Sequence, residues 1–316
     1  SKKNFVKSTV STLFNINIIE QYLKNIISSE FFKGIKNKKF KVAIDSCNGA
    51  AEESAIKLVE MLGGTPYSIC KEINGFPRAP EPRPENLKRL CQIVKNKKLD
   101  LGIAFDPDGD RFACVDEWGV PLSEESTLLI ALLYILEQKK GAVVVNNSTT
   151  MAVDEVCQRF NVPVYRSATG EANVVQKMQE VQAIVGGEGN GGVIVPSINL
   201  TRDGLVATAI LMKLLVKRNY PLSLIRKELP LYFMEKTTVR NYPPNWQDVI
   251  LKKFRDDKSI KFEMLDGLKV IHPKFWVLVR KSNTEPILRI IVESKNKNLT
   301  KSLIAYIIDD IVKSSI

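Results

Sequence analysis

Three carboxylates stand at alternate positions in Asp106-Pro107-Asp108-Gly109-Asp110-Arg111, directly after the apolar run Leu101-Gly102-Ile103-Ala104-Phe105. In an extended segment alternate side chains share a face, so Asp106, Asp108 and Asp110 converge on one side. Like charges brought that close repel unless a cation sits between them. Pro107 stiffens the turn, and Gly109 lets the backbone curl around a central point. All-oxygen ligands suit a hard ion, Mg2+ or Ca2+, rather than zinc. The segment therefore reads as a metal site. A solvated acidic turn would not need three alternating carboxylates. An EF-hand is excluded, because its invariant glycine position carries Arg111 and the flank is a strand rather than a helix. A phosphatase with an aspartate nucleophile in an Asp-x-Asp loop stays open on this segment alone.

Two further loops carry polar chemistry between apolar segments. Gly186-Gly187-Glu188-Gly189-Asn190-Gly191-Gly192 follows a strand ending at Val185. Its five glycines leave the backbone open to a ligand, and Glu188 with Asn190 offers acceptors and donors for adjacent sugar hydroxyls. A flexible hairpin is the plain alternative. Arg280-Lys281-Ser282-Asn283-Thr284-Glu285-Pro286, with Arg289 beyond, combines guanidinium, hydroxyl and amide donors in one tight turn, a composition suited to phosphate. A polar hairpin turn between Val279 and Ile287 is its alternative. Arg166-Ser167-Ala168-Thr169-Gly170-Glu171 links a strand to a helix start, as either a third cleft loop or a helix cap.

These loops need a scaffold of alternating strands and helices. A helix and connector are expected over 16–36, where Ile19, Tyr22, Leu23 and Ile26 recur at helical spacing. Strands follow at 42–44, 65–70, 101–105 and 112–115, with helices from Asn48-Gly49 through Leu62 and over 85–94. A helix over 123–138 leads to a second round: strands at 142–145, 162–165 and 183–185, helices at 151–160 and 171–179. After Leu229-Pro230, strands at 232–239, 268–271, 276–279 and 287–293 precede a helix over 301–312. The expected fold is α/β: two successive mixed-sheet domains, 1–140 and 141–230, then a small α+β domain, 231–316.

At 316 residues with 44% hydrophobic content, the chain can bury substantial cores in two or three domains. No apolar run approaches the length of a membrane span, and the Ser1-Lys2-Lys3-Asn4 start lacks a signal-peptide pattern. The five cysteines, Cys47, Cys70, Cys91, Cys114 and Cys157, are scattered and odd in number, which fits reduced thiols in a cytoplasm. The net charge of +11 suits anionic ligands, but the lysines lie in short clusters without an arginine-rich helix or aromatic RNA-binding pattern. Neither a nucleic-acid nor a membrane partner is expected.

Taken together, the loops resemble those of the α-D-phosphohexomutase family, the phosphoglucomutases, phosphomannomutases and phosphoglucosamine mutases. Asp106–Arg111 resembles the family's metal loop, 187–191 its sugar loop and 280–286 its phosphate loop. Val42–Gly49 and Pro80-Glu81-Pro82-Arg83-Pro84-Glu85-Asn86-Leu87 resemble parts of its second domain. The resemblance covers nearly the whole chain and displaces the phosphatase reading, which accounts for the first loop only. It implies domains two to four of a four-domain enzyme. Domain one, with its phosphorylated serine in a Ser-His-Asn-Pro-like loop, is expected to be missing, since the single histidine, His272, follows Ile271. It also implies Mg2+ on Asp106, Asp108 and Asp110, and Arg111 at the transferring phosphoryl group. Glu188 and Asn190 would bind the sugar, while Arg280, Ser282, Asn283, Thr284 and Arg289 would bind the distal phosphate. The implied reaction interconverts hexose 6- and 1-phosphates through a phosphoserine and a bisphosphate, with a hinged phosphate domain, and the chain alone is expected to be inactive. The sugar loop is most similar to phosphoglucosamine and phosphomannomutase members, with the missing N-terminal domain as partner. The alternative is a non-catalytic sugar-phosphate-binding protein.

Overall fold

A computed structural model of the chain describes residues 17–32, 38–69, 75–282 and 285–314. Helix α1 (Ile18–Ser28) comes first, capped by the Asn17 side chain, which accepts from the Glu20 amide. The first sheet is built from β1 (Lys41–Asp45), α2 (Glu52–Met61), β2 (Thr65–Ser68), α3 (Lys88–Lys97), β3 (Leu101–Phe105) and β4 (Phe112–Val115). Its order is β2-β1-β3-β4; β1 runs parallel to β2 and β3, and β4 returns antiparallel to β3. Every residue of β3 is buried, as a strand covered by helices on both faces requires.

Helix α4 (Glu124–Leu136) leads into β5 (Val143–Asn146), α5 (Ala152–Phe160), β6 (Val164–Ser167), α6 (Glu171–Glu180), β7 (Val185–Glu188) and β8 (Gly192–Ile194). This sheet, ordered β6-β5-β7-β8, repeats the first plan: two parallel pairings, then an antiparallel edge strand. The acidic loop joins β3 to β4 and the glycine-rich segment joins β7 to β8, so the two occupy equivalent places in the two units. Strand β7 runs three residues beyond the expected end at Val185. Gly186, Gly187 and Glu188 pair with β8, and the expected seven-residue loop is a tight hairpin.

The sequence reading assigns no element between Gly192 and Leu229, where the structure has β8, α7 (Gly204–Arg218) and α8 (Leu222–Glu228). The reason lies in the position of α7. It packs on α2, α4, β4 and β8, and α4 in turn packs on α5, β4, β7 and β8. Both helices lie between the sheets within one core shared by the two units. A helix buried on all sides carries no apolar stripe to detect.

The chain ends in β9 (Phe233–Val239), α9 (Trp246–Phe254), β10 (Lys261–Glu263), β11 (Leu268–His272), β12 (Phe275–Lys281), β13 (Leu288–Ser294) and α10 (Lys297–Lys313). Its antiparallel sheet, ordered β10-β11-β12-β13-β9, closes a separate core with α9 and α10 around Val270, Val279, Ile290 and Ile311. His272 ends β11, stacked on Phe275 at 4.6 Å between ring centroids. Among the described residues no helix is long and apolar enough to cross a membrane. Cys47, Cys91, Cys114 and Cys157 are free thiols; Cys70 lies outside the described residues.

Candidate active site

The acidic loop is held from below by a buried arginine. Arg78 pairs with Asp45 at the end of β1 (Nε to Oδ2, 3.0 Å) and donates to the Phe105 carbonyl at the end of β3 (2.5 Å). From the side, the Ala50 amide donates to the Pro107 carbonyl at 2.8 Å. The loop then turns on Asp106, whose Oδ1 accepts from the Arg111 amide at 3.0 Å. Asp106, Asp108 and Asp110 each bring one carboxylate oxygen to within 4.8 Å of the other two.

That convergence fits a divalent cation. Burial, countered by the Arg111 amide and reinforced by Asp110 and Asp108, pushes the Asp106 carboxyl up to about 7. Asp110 Oδ1 is buried without a hydrogen-bond partner among the described residues. Three converging carboxylates, one with an oxygen that lacks a hydrogen-bond partner, match the ligand preference of Mg2+ or Ca2+. Beside them Arg111 reaches Asp106 (Nε to Oδ2, 3.4 Å) and Glu81 (Nη1 to Oε1, 3.0 Å).

Glu188, at the end of β7, is only 4% exposed. One of its oxygens accepts from Asn146 Nδ2 at 2.7 Å and the Gly170 amide at 3.0 Å; the other accepts from Arg202 Nη1 at 2.8 Å and Asn190 Nδ2 at 3.5 Å. The Arg166–Glu171 loop thus closes on the glycine-rich hairpin through Gly170. It also meets the C-terminal unit, where Asp266 accepts from the Thr169 amide at 3.1 Å.

The third loop joins β12 to β13. Arg280 and Arg289 are direct cross-strand partners, so their side chains share a face. Like charges placed opposite each other destabilise a ladder unless an anion lies between them. Arg280 Nε is buried without a hydrogen-bond partner among the described residues, and Asp266 Oδ2 lies 4.0 Å away. Ser282 closes the turn, its amide donating to the Ile287 carbonyl at 2.9 Å. Asn283 and Thr284 lie outside the described residues.

Arg111, Glu188, Asn190, Arg280 and Arg289 line one cavity of about 370 Å³, which Lys236 of β9 also borders. Among the described residues, Ser282 does not line it. The acidic cluster adjoins this cavity through Arg111. Sequence reasoning missed Lys236, Asn146 and Arg202. The last immediately precedes Asp203, whose side chain caps α7 through the Leu205 and Val206 amides. An Asp-Gly pair before a long apolar run is the pattern that could have drawn attention there.

Three family models match successive parts of the chain. The phosphoglucomutase/phosphomannomutase alpha/beta/alpha domain II matches residues 20–119, alpha/beta/alpha domain III residues 123–232, and the C-terminal domain residues 248–310. A phosphoglucosamine/phosphogalactosamine mutase of Sulfurisphaera tokodaii is 32% identical over 91% of this chain and 65% of its own length. A probable phosphoglucosamine mutase of Pyrococcus horikoshii is 30% identical over 97% of this chain and 68% of its own. The chain thus spans about two thirds of the length of these curated relatives, 65% of the first. Among solved structures, a phosphoglucomutase/phosphomannomutase family protein of Burkholderia thailandensis superimposes with a TM-score of 0.79 at 25% identity, covering 94% of this chain and 64% of that one. An N-acetylphosphoglucosamine mutase of Aspergillus fumigatus, solved with GlcNAc-6P and magnesium, shares the fold (TM-score 0.65, 14% identity, covering 94% of this chain and 65% of that one). The chain belongs to the phosphoglucomutase/phosphomannomutase family.

Proposed function

We propose that this chain supplies the metal, sugar and phosphate sites of a phosphohexomutase, which moves a phosphoryl group between the 6- and 1-positions of a hexose. An amino sugar fits best with the names of its relatives; mannose is the next choice. The observation that carries the reading is the single cavity bordered by the facing pair Arg280 and Arg289 and by Arg111 of the acidic loop. One arginine pair suits a phosphate that is held, and the acidic loop suits a phosphate that is transferred.

Arg280 and Arg289 would grip the phosphate that does not react. Glu188 and Asn190 would take the sugar hydroxyls, in either orientation of the ring. The remote grip fixes the reacting hydroxyl in place, and orientation of this kind supplies a large part of a rate enhancement. Arg111 would orient the transferring phosphoryl group and offset its charge. Asp106, Asp108 and Asp110 would hold Mg2+, which when bound neutralises phosphoryl charge. In this reading the phosphoryl group shuttles through a serine of domain I and a hexose bisphosphate that turns over between steps. The family match covers domains II to IV, and the serine step of this reading belongs to domain I.

The test is a calorimetric titration with glucosamine-, mannose- and glucose-6-phosphate, on the native chain and on Arg280→Ala. The variant should bind ten- to a hundredfold more weakly, since a hydrogen bond to a charged group is worth about 1.5–3 kcal/mol. Equal affinity in the two proteins would refute the phosphate assignment. The order of the three ligands would identify the sugar.

A further inference from the structure

Arg202 lies between β8 and α7, with its side chain 15% exposed. Its three guanidinium nitrogens each serve a different loop. Nη2 bonds Asp110 Oδ2 of the acidic loop, Nη1 bonds Glu188 Oε2 of the glycine-rich hairpin at 2.8 Å, and Nε bonds Glu171 Oε2 at the start of α6 at 2.9 Å. The backbone is shaped around this side chain. A Cβ on Gly192 would lie 2.3 Å from Arg202 Cδ, so the arginine stem crosses the hairpin only because residue 192 is glycine. Two backbone bonds cross the same junction: the Phe112 amide donates to the Gly191 carbonyl at 3.0 Å and the Gly204 amide to the Gly109 carbonyl at 3.1 Å.

We propose that Arg202 is a positioning residue that orients Asp110 as a cation ligand and locks the metal loop to the sugar loop. The inference rests on the metal and sugar assignments made above. With Asp110 Oδ2 held by Arg202, Oδ1 is the oxygen left for the cation; that atom is buried without a hydrogen-bond partner among the described residues, with Arg111 Nε 3.9 Å away. Charge alone would not explain the arrangement. A guanidinium next to a cation site repels the cation, so simple neutralisation would oppose metal binding. What a planar fork adds is simultaneous aim at three carboxylates, which a point-charge ammonium cannot reproduce.

Arg202→Lys separates the two effects, because it keeps the charge and loses the fork. Two measurements on the full chain test it: hydrogen exchange without metal, and calorimetric Mg2+ titration. The amides of Phe112 and Gly204 should exchange faster together in Arg202→Lys, while those of β12 and β13 keep their native rates. Mg2+ affinity should fall by at least about tenfold, as is common when a group that orients a metal ligand is removed. Native exchange at both amides, or a general acceleration reaching β12 and β13, would overturn the locking role. Unchanged Mg2+ affinity in a variant of a Mg2+-binding parent would overturn the orienting role. A native chain that takes up no Mg2+ would instead defeat the metal assignment, and the exchange data alone would then decide whether Arg202 locks the loops.

Discussion

Asp106 shows how the acidic loop carries its charge. Its burial and its two acidic neighbours lift its carboxyl to about 7, so at and below neutrality a proton competes with a cation for the site. Mg2+ uptake should therefore release that proton. Affinity should rise with pH up to about 7 and flatten above it, because metal binding requires the deprotonated ligand. Calorimetry in buffers of different ionisation enthalpy measures the release directly; a heat independent of the buffer at pH 6–7 (about the titration range) would show that Asp106 is already ionised. The acidic loop was legible in the sequence because its three carboxylates alternate within one short segment and their repulsion is visible from spacing alone. Arg202 was not. Its partners Asp110, Glu171 and Glu188 come from three separate segments, and only the folded backbone brings them to one guanidinium. Nor does sequence reveal that Glu188 is occupied by Asn146, Gly170, Asn190 and Arg202 at once.

The elements divide in the same way. Strands β1, β3 and β5 could be read from short apolar runs, as could β9, β11, β12 and β13; the sequence reading has no element at α9 or at the exposed three-residue β10. Helix α7 could not be read, because burial on every side removes the polar half of the pattern. The glycines between β7 and β8 suggest a ligand-accessible loop or a flexible hairpin, whereas in the structure they allow close packing. Gly191 has φ +95°, and a Cβ there would lie 2.4 Å from the Phe112 carbonyl oxygen. That carbonyl also accepts from the buried Thr127 hydroxyl at 2.7 Å, so it is not free to move. Gly191→Ala should cost about 1–3 kcal/mol through strain at a left-handed position and lower the urea midpoint accordingly. It should also speed exchange of the Phe112 amide, whose acceptor is Gly191 itself. A variant as stable as the native chain would mean that the hairpin can shift away from β4.

At the scale of the whole molecule, the first two units share a core and the third does not, so Arg280 and Arg289 are carried by a body with a core of its own. What joins it to the second unit is polar and buried. Lys269 of β11 donates to the Asn147 carbonyl at 2.7 Å and to its Oδ1 at 3.0 Å, with its ammonium 4.4 Å from the Trp276 ring centroid. Glu293 of β13 accepts from the Met151 amide at 2.8 Å and Trp276 Nε1 at 2.6 Å, and from the Thr150 hydroxyl. Such a junction is specific in geometry but gains little from desolvating its charges. Burial, with the Arg166 guanidinium adding repulsion, lowers the Lys269 ammonium from 10.5 to about 7. The sign follows from proton counts. Between those two values the exposed lysine holds a proton that the docked lysine has lost, so docking is favoured as pH rises through this window and weakened as pH falls towards 7. Below about 7 both forms are protonated and the slope ends. Lys269→Met, similar in length and without the charge, should abolish this slope. In paired thermal melts the difference between variant and native chain should therefore be largest near pH 7 and shrink towards pH 10, the range of an ordinary lysine (about 10.4). A difference that stays constant across the window would show that Lys269 keeps its proton inside the junction, held there by Asn147 and the Trp276 ring.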